Sequence, residues 1–178
     1  MSAVTIYVPR DASAVALGAD AVADEISRQA RDRGIAVHIV RNGSRGLTWL
    51  EPLVEVVTPA GRLAYGPVLA ADVPSLFDAG FTGGAAHRLS LGMIDQHPFL
   101  KSQQRVTFSR VGLIDPVSVT EYVAHDGFKG LHEALRVSPA DIVRIVTESG
   151  LRGRGGAAFP TGIKWKTVLE QQAPRKYI

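Results

Sequence analysis

"LVEVVT" (residues 53–58) and "RLAYGPV" (residues 62–68) are two runs of strand-forming residues separated by Pro59, Ala60 and Gly61. β-Branched and aromatic side chains favour extended backbone, and so short a connection reads as a hairpin. Upstream, "VTIYV" (4–8) and "AVHIVR" (36–41) read as two further strands. Between them Val15, Ala19, Val22 and Ile26 recur near helical spacing, with Ser13 as the expected N-cap and Gly34 as the stop. Downstream, "DVPSLFDAG" (72–80) supplies Asp72 as a cap, Pro74 in the first turn and Gly80 as a stop. The order strand, helix, strand, strand, strand, helix predicts an α/β fold, a small thioredoxin-like layer at the N-terminal end.

Composition narrows the class. The 178 residues suffice for one ordinary domain, or one small domain and part of another. Hydrophobic residues make up 46% and charged residues 21%, the balance of a globular chain. No run of about 18 apolar residues is present, and "MSAVTIYVPR" lacks the basic, apolar and cleavage regions of a secretory signal. A cytoplasmic protein without a membrane span is expected.

Cysteine is absent, which removes disulfides, thiolate-held clusters and cysteine nucleophiles from this chain. The five histidines, His38, His87, His97, His125 and His132, include no pair at i,i+3 or i,i+4, so no metal ligand is assigned. The net charge of +3 is spread along the chain rather than gathered into a nucleic-acid-binding stripe.

From about Phe81 to Pro116 the periodicity weakens, interrupted by Gly83, Gly84, Gly92, Pro98, Gly112 and Pro116. This stretch reads as a linker or extended crossover. Inside it "RVTFSRVGLI" (105–114) alternates partly and is expected to be a strand lying against a partner. Helical punctuation returns with "SVTE", a capping box of Ser118 and Glu121, followed by Phe128, Leu131 and Leu135 at helical spacing. "SPAD" then opens another helix, capped by Ser138, whose buried side is expected to carry Ile142, Val143, Ile145 and Val146 before Gly150 ends it. The resulting division is 1–82, a thioredoxin-like domain; 83–117, a linker; and 118–178, the helical start of a second domain.

"SGLRGRGGAAFPTGIKW" (149–165) leaves that last helix. Its "RGRGG" cluster suggests an RNA-binding box, but such boxes are repeated and this one occurs once. Gly153, Gly155 and Ala158 fit a dinucleotide fingerprint, which has meaning only after a strand, and here a helix precedes it. A flat-ring site is the third reading. Bare backbone at Gly153, Gly155 and Gly156 admits a planar cofactor, Arg154 and Lys164 counter a phosphate or a reduced flavin, and Phe159 stacks. Spacing alone favours a tight bend with Phe159 and Trp165 in a core and the charges in solvent.

The same residues closely resemble the signature of the flavin- and NADH-binding subunit of respiratory complex I and its relatives. Ala158 departs, since many members have glycine there, and Thr167 departs from members with an aromatic that helps hold NADH. "RNGSRGLTWLEPLVEV" and "RVTFSRVGLIDP" further resemble the β subunit of soluble NAD-dependent formate dehydrogenase, in which a thioredoxin-like module precedes the flavin domain. The resemblance implies an oxidoreductase of the diaphorase type, moving electrons from formate oxidation through iron–sulfur clusters and FMN to NAD⁺. It implies a partner α subunit holding molybdenum or tungsten and a thioredoxin-like [2Fe–2S] γ subunit. A diaphorase of an NAD-reducing hydrogenase, a docking module with a vestigial motif, or an RNA binder are the other readings.

By carry-over the cofactor-binding set is Gly153, Arg154, Gly155, Gly156, Ala157, Phe159, Gly162 and Lys164, with no catalytic acid or base. Members of the family continue into the rest of the nucleotide fold and a [4Fe–4S] cluster, so the chain is expected to be an N-terminal portion that alone holds FMN weakly. The front module also resembles a cluster-binding relative, whose four cysteine positions fall on Pro9, Ala14, Ser44 and Thr48. It is therefore expected to keep that fold without the cluster and to serve in docking, with Arg41, Arg45 and Trp49 on the contact surface.

Overall fold

The computed structural model describes residues 3–176, which divide into two units with the boundary between residues 125 and 126. In the first, one sheet is built from β1 (Val4–Tyr7), β2 (Val37–Val40), β3 (Val54–Thr58), β4 (Gly61–Tyr65) and β5 (Ser90–Met93). The strand order is β2-β1-β3-β4-β5. β1 and β2 are parallel, as a helical crossover between them requires, and the remaining pairs are antiparallel. The first four strands in this order, with β3 running against its neighbours, form the thioredoxin-like α/β arrangement expected from the sequence.

The central hairpin sets which side chains meet which face. Thr58 pairs with Gly61, and Val54 with Tyr65, so Val54, Val56 and Tyr65 share one face. They pack there against the buried side of α2 (Ala19–Asp32), including Val22 and Ile26, and of α3 (Val73–Ala79), including Leu76 and Phe77. The opposite face buries Leu53 and Ala64 with Leu47 and Ile94 in a smaller core.

Several expectations change on folding. Ser13 does not cap one long helix. Asp11 caps a short α1 (Ala12–Ala16) by accepting from the Ala14 N–H at 2.9 Å, and left-handed Gly18 (φ 98°) separates it from α2. Asp72 begins α3 as expected, yet its carboxylate serves the turn before it, accepting from the Leu69 N–H and pairing with Arg88.

The strand expected at 105–114 is absent. Left-handed Gly112 (φ 83°) breaks extension there, and side chains from the sheet hold the segment instead. Asn42 and Arg62 donate to the Gly112 carbonyl at 3.0 and 2.8 Å. The strand within the expected linker is β5, which pairs with β4 and brings residues 90–93 into the first unit. The sequence-drawn limits at 82 and 117 thus lie inside that unit.

α4 (Pro98–Lys101) and α5 (Val119–Ala124) complete the first unit. The capping box forms by half: Ser118 Oγ accepts from the Glu121 N–H at 3.2 Å, while the Glu121 carboxylate accepts from the Asp115 N–H at 2.8 Å. The second unit holds α6 (Lys129–Ala134), α7 (Pro139–Glu148) and α8 (Thr161–Glu170). Phe128 precedes α6 with φ 60°, so its spacing to Leu131 and Leu135 does not continue one helix from Ser118. Among the described residues of this unit no apolar side chain is buried, and Ile142, Val143, Ile145 and Val146 are half-covered or exposed rather than buried. No helix among the described residues is long and apolar enough to cross a membrane.

Candidate functional site

α7 is capped as its sequence dictates. Ser138 Oγ accepts from the Asp141 N–H, and Gly150 with φ 67° ends the helix where a Cβ would be strained. The chain then folds into a closed hairpin. Arg152 and Pro160 form an antiparallel bridge, in which Gly153 N–H donates to the Phe159 carbonyl at 2.9 Å and Thr161 N–H donates to the Leu151 carbonyl at 2.9 Å. The tip is a turn closed by Ala158 N–H to Gly155 O at 3.2 Å, with Arg152 Nε holding the Ala158 carbonyl at 2.8 Å.

These hydrogen bonds fix the segment, yet its glycines are left open. Neither Gly155 nor Gly156 has a left-handed φ, and a Cβ at either position would meet no atom within 4 Å. Gly153 would make only ordinary contact, 3.6 Å from the Phe159 carbonyl oxygen. Among the described residues, the N–H groups of Arg154, Gly155, Gly156 and Ala157 have no protein acceptor. Successive free N–H groups at a bare turn suit an acceptor-rich ligand.

Nor do the aromatic residues belong to a core. Phe159 and Trp165 are each 45% exposed, which removes the packed-bend alternative among the described residues. Lys164, on the first turn of α8, lies with its Nζ 5.8 Å from the centre of the Phe159 ring. Arg152, Arg154 and Lys164 have no carboxylate partner among the described residues, so the hairpin carries uncompensated positive charge. These features fit a planar cofactor with a phosphate.

Gly162 has a different explanation. It is buried, and a Cβ there would lie 2.7 Å from Thr147 Cα and 2.9 Å from Thr147 Cβ. Its missing side chain lets α7 and α8 cross closely. The strained position is Ala158, which takes φ 45°, a left-handed value that favours glycine.

The front module does not fit a cluster. Pro9 and Ala14 are buried, Ser44 is half-buried and Thr48 exposed, and none carries a thiolate. The two loops holding them are tied by Asp11, whose Oδ1 accepts from Ala14 N–H and Ser13 Oγ while Oδ2 accepts from Ser44 N–H, each at 2.9 Å. Among the described residues no group of His, Cys, Asp and Glu is arranged to hold a metal ion. Of the expected contact residues, Arg41 is spent on the Val8 and Pro9 carbonyls and on Asp20, and Arg45 is buried against Glu55. Only Trp49 is broadly exposed.

The sequence expectation of a partner-facing strand covers Arg105 and Phe108 but not Phe99, and all three line a groove of the first unit together with Ser44 and Arg45. Their distance in sequence from Ser44 and Arg45 gave no signal of it.

No family model matches the chain. A stretch of 78 residues, 44% of this chain, is 49% identical to the NADP-reducing hydrogenase protein HndC of Solidesulfovibrio fructosivorans and covers 16% of that protein. An NADH-quinone oxidoreductase component from Streptomyces coelicolor is 47% identical over 57 residues, 32% of this chain and 13% of that protein. The corresponding NADH-quinone oxidoreductase component of Aquifex aeolicus is 48% identical over 61 residues, 34% of this chain and 14% of that protein. The chain thus spans less than a fifth of the length of these curated relatives. Among solved structures, a thioredoxin-like [2Fe–2S] ferredoxin from Aquifex aeolicus aligns with 20% identity and a TM-score of 0.46, over 55% of this chain and 98% of its own.

Proposed function

We propose that the 151–164 hairpin forms part of an FMN site in an NAD-linked electron-transfer flavoprotein. Gly155 and Gly156 carry this reading: neither backbone strain nor protein packing asks for glycine there, and their N–H groups point to no protein acceptor. The similarity to components of a hydrogenase and of NADH-quinone oxidoreductases supports the same class. FMN, when bound, supplies the exchange between one-electron carriers and a two-electron hydride acceptor.

The chain's own residues position and charge the site. Arg154, Gly155, Gly156 and Ala157 offer backbone N–H groups to ring or phosphate acceptors, and Gly153, its own N–H spent on the Phe159 carbonyl, keeps the strand beside them bare. Arg154 and Lys164 supply positive charge against an anion, and Phe159 presents an exposed ring for stacking. Gly162 acts one step removed, by letting α8 approach α7 and so placing Lys164. No side chain is asked to move a proton.

Within this class we propose that the electrons come from formate: HCOO⁻ + NAD⁺ gives CO₂ + NADH, a two-electron exchange. The oxidation itself falls to an α subunit with molybdenum or tungsten, and a [2Fe–2S] thioredoxin-like γ subunit is the second partner. A front module without cysteines supports formate over hydrogen as the electron source. The similarity to HndC favours a hydrogenase diaphorase as the second reading.

The test is Gly156→Val in the assembled complex. With folding unchanged, flavin content per complex is expected to fall at least about tenfold, since a side chain would take the space of the ring. Unchanged flavin content and NADH oxidation would overturn the assignment. The electron source is tested separately, by assaying the wild-type complex with formate and with hydrogen.

A further inference from the structure

The first unit carries a groove of about 730 Å³, remote in sequence from the glycine hairpin. One wall is the loop at Ser44–Gly46. The other runs from Phe99 through Gln103, Arg105 and Val106 to Phe108. Residues 105–108 of this wall begin the stretch expected as a strand, and they have no sheet partner among the described residues. The N–H groups of Gln104, Arg105, Val106 and Thr107 have no acceptor among the described residues.

Its composition is that of a contact surface. Phe108 is 65% exposed, Val106 is more so, and the Phe99 ring meets exposed Trp49 edge-on at 5.2 Å between centres. Aromatic residues and arginine are the groups that dominate protein–protein contacts, and exposed apolar surface of this kind marks a binding site.

Charge then restricts the occupant. Both ionic side chains lining the groove, Arg45 and Arg105, are cations, and no carboxylate lines it. Arg45 is answered by Glu55. Arg105 is not: its Nε donates to Gln103 Oε1 at 2.9 Å and its Nη2 to the Arg45 carbonyl at 2.6 Å, both neutral acceptors, and it has no acidic partner among the described residues. The guanidinium is held in place but not neutralised.

We propose that this groove docks an extended acidic segment of a partner polypeptide, one carrying an aromatic or aliphatic side chain beside its carboxylates. The carboxylate pairs with Arg105, the apolar side chain lies between Phe99 and Phe108, and main-chain carbonyls of the segment accept from the free N–H groups of 104–107. A polypeptide fits better than a small anion because it alone supplies the row of acceptors.

The experiment is calorimetric titration of the full chain with two unlabelled heptapeptides, Asp-Phe-Asp-Leu-Glu-Phe-Asp and its analogue with Asn and Gln for the acids. Sodium benzoate is the third titrant. The acidic peptide is expected to bind at least about tenfold more tightly than the neutral one at low salt, an advantage that shrinks in about 0.5 M salt. Arg105→Gln is expected to abolish the difference, and Phe108→Ala, at an exposed position, to weaken both peptides. Arg144→Gln, in the other unit, is the charge control and is expected to change neither. Equal affinity for the two peptides, no binding of either, insensitivity to both groove substitutions, or benzoate binding as tightly as the acidic peptide would each overturn the proposal.

Discussion

The guanidinium of Arg45 grips the carboxylate of Glu55 with two bonds, Nε to Oε1 at 2.6 Å and Nη2 to Oε2 at 2.9 Å, with both side chains almost fully buried. Arg62, stacked on the Tyr7 ring at 3.5 Å, reaches the same carboxylate at 3.4 Å and the Gly112 carbonyl at 2.8 Å. Glu55 therefore joins the sheet to the segment that crosses it. Glu55→Ala is expected to destabilise the chain by about 3–5 kcal/mol, because buried Arg45 loses its bidentate partner and keeps only the more distant Asp95 at 3.7 Å, while half-buried Arg62 loses the same carboxylate. Urea unfolding followed by far-UV circular dichroism measures it. A loss under about 1 kcal/mol would mean that water replaces the carboxylate.

Asp11 ties two loops with three bonds, two to Ser13 and Ala14 and one across to Ser44. Asp11→Ala removes the cap of α1 and the acceptor for Ser44 N–H. A loss of about 1–3 kcal/mol is expected, with Asp11→Asn retaining part of it. Hydrogen exchange at the Ala14 and Ser44 amides reports the loosening directly.

Glu51 is 3% exposed, with Oε2 accepting from Leu53 N–H and Oε1 without a hydrogen-bond partner among the described residues. Burial raises its pKa, and the nearby Asp11 and Glu55 carboxylates push the same way against the Ser44 hydroxyl and the Leu53 amide. The folded chain then holds this proton more tightly than the unfolded chain does. Stability is full below the ordinary value of 4.5 and falls as pH rises through the raised value. Glu51→Gln is expected to gain on wild type progressively as pH rises above about 4.5, read as the difference in melting temperature at each pH. A constant difference would show that Glu51 ionises as freely folded as unfolded.

Gly162→Ala pushes a methyl against Thr147 backbone. Destabilisation of about 1–3 kcal/mol is expected from this overpacking, seen as faster amide exchange along α7 and α8. Unchanged exchange would show that the two helices separate at little cost.

Two substitutions three residues apart in one turn should behave oppositely. Gly155→Ala meets open space and is expected to shift stability by no more than about 0.5 kcal/mol. Ala158→Val places a β-branched side chain at φ 45° and is expected to cost about 1–3 kcal/mol. Exchange at the Gly153 and Thr161 amides, which close the hairpin, separates the two outcomes.

Local chemistry was legible without coordinates. The hairpin at 53–68, the cap at Ser138 and the stops at Gly34, Gly80 and Gly150 depend on neighbours within a few residues, and each formed as its residues dictate. The glycine run was legible as a bare backbone for the same reason. What folding alone decided involves residues far apart in the chain. Asp11 displaces Ser13 as a cap because its second oxygen also reaches Ser44. Residues 105–114 lose their strand to Gly112 and to side chains arriving from Asn42 and Arg62, while β5 finds an edge of β4 that no local pattern announced. Gly162 and Gly155 look alike in sequence, and only the presence of Thr147 beside one and open space beside the other tells a packing glycine from one free to face a ligand.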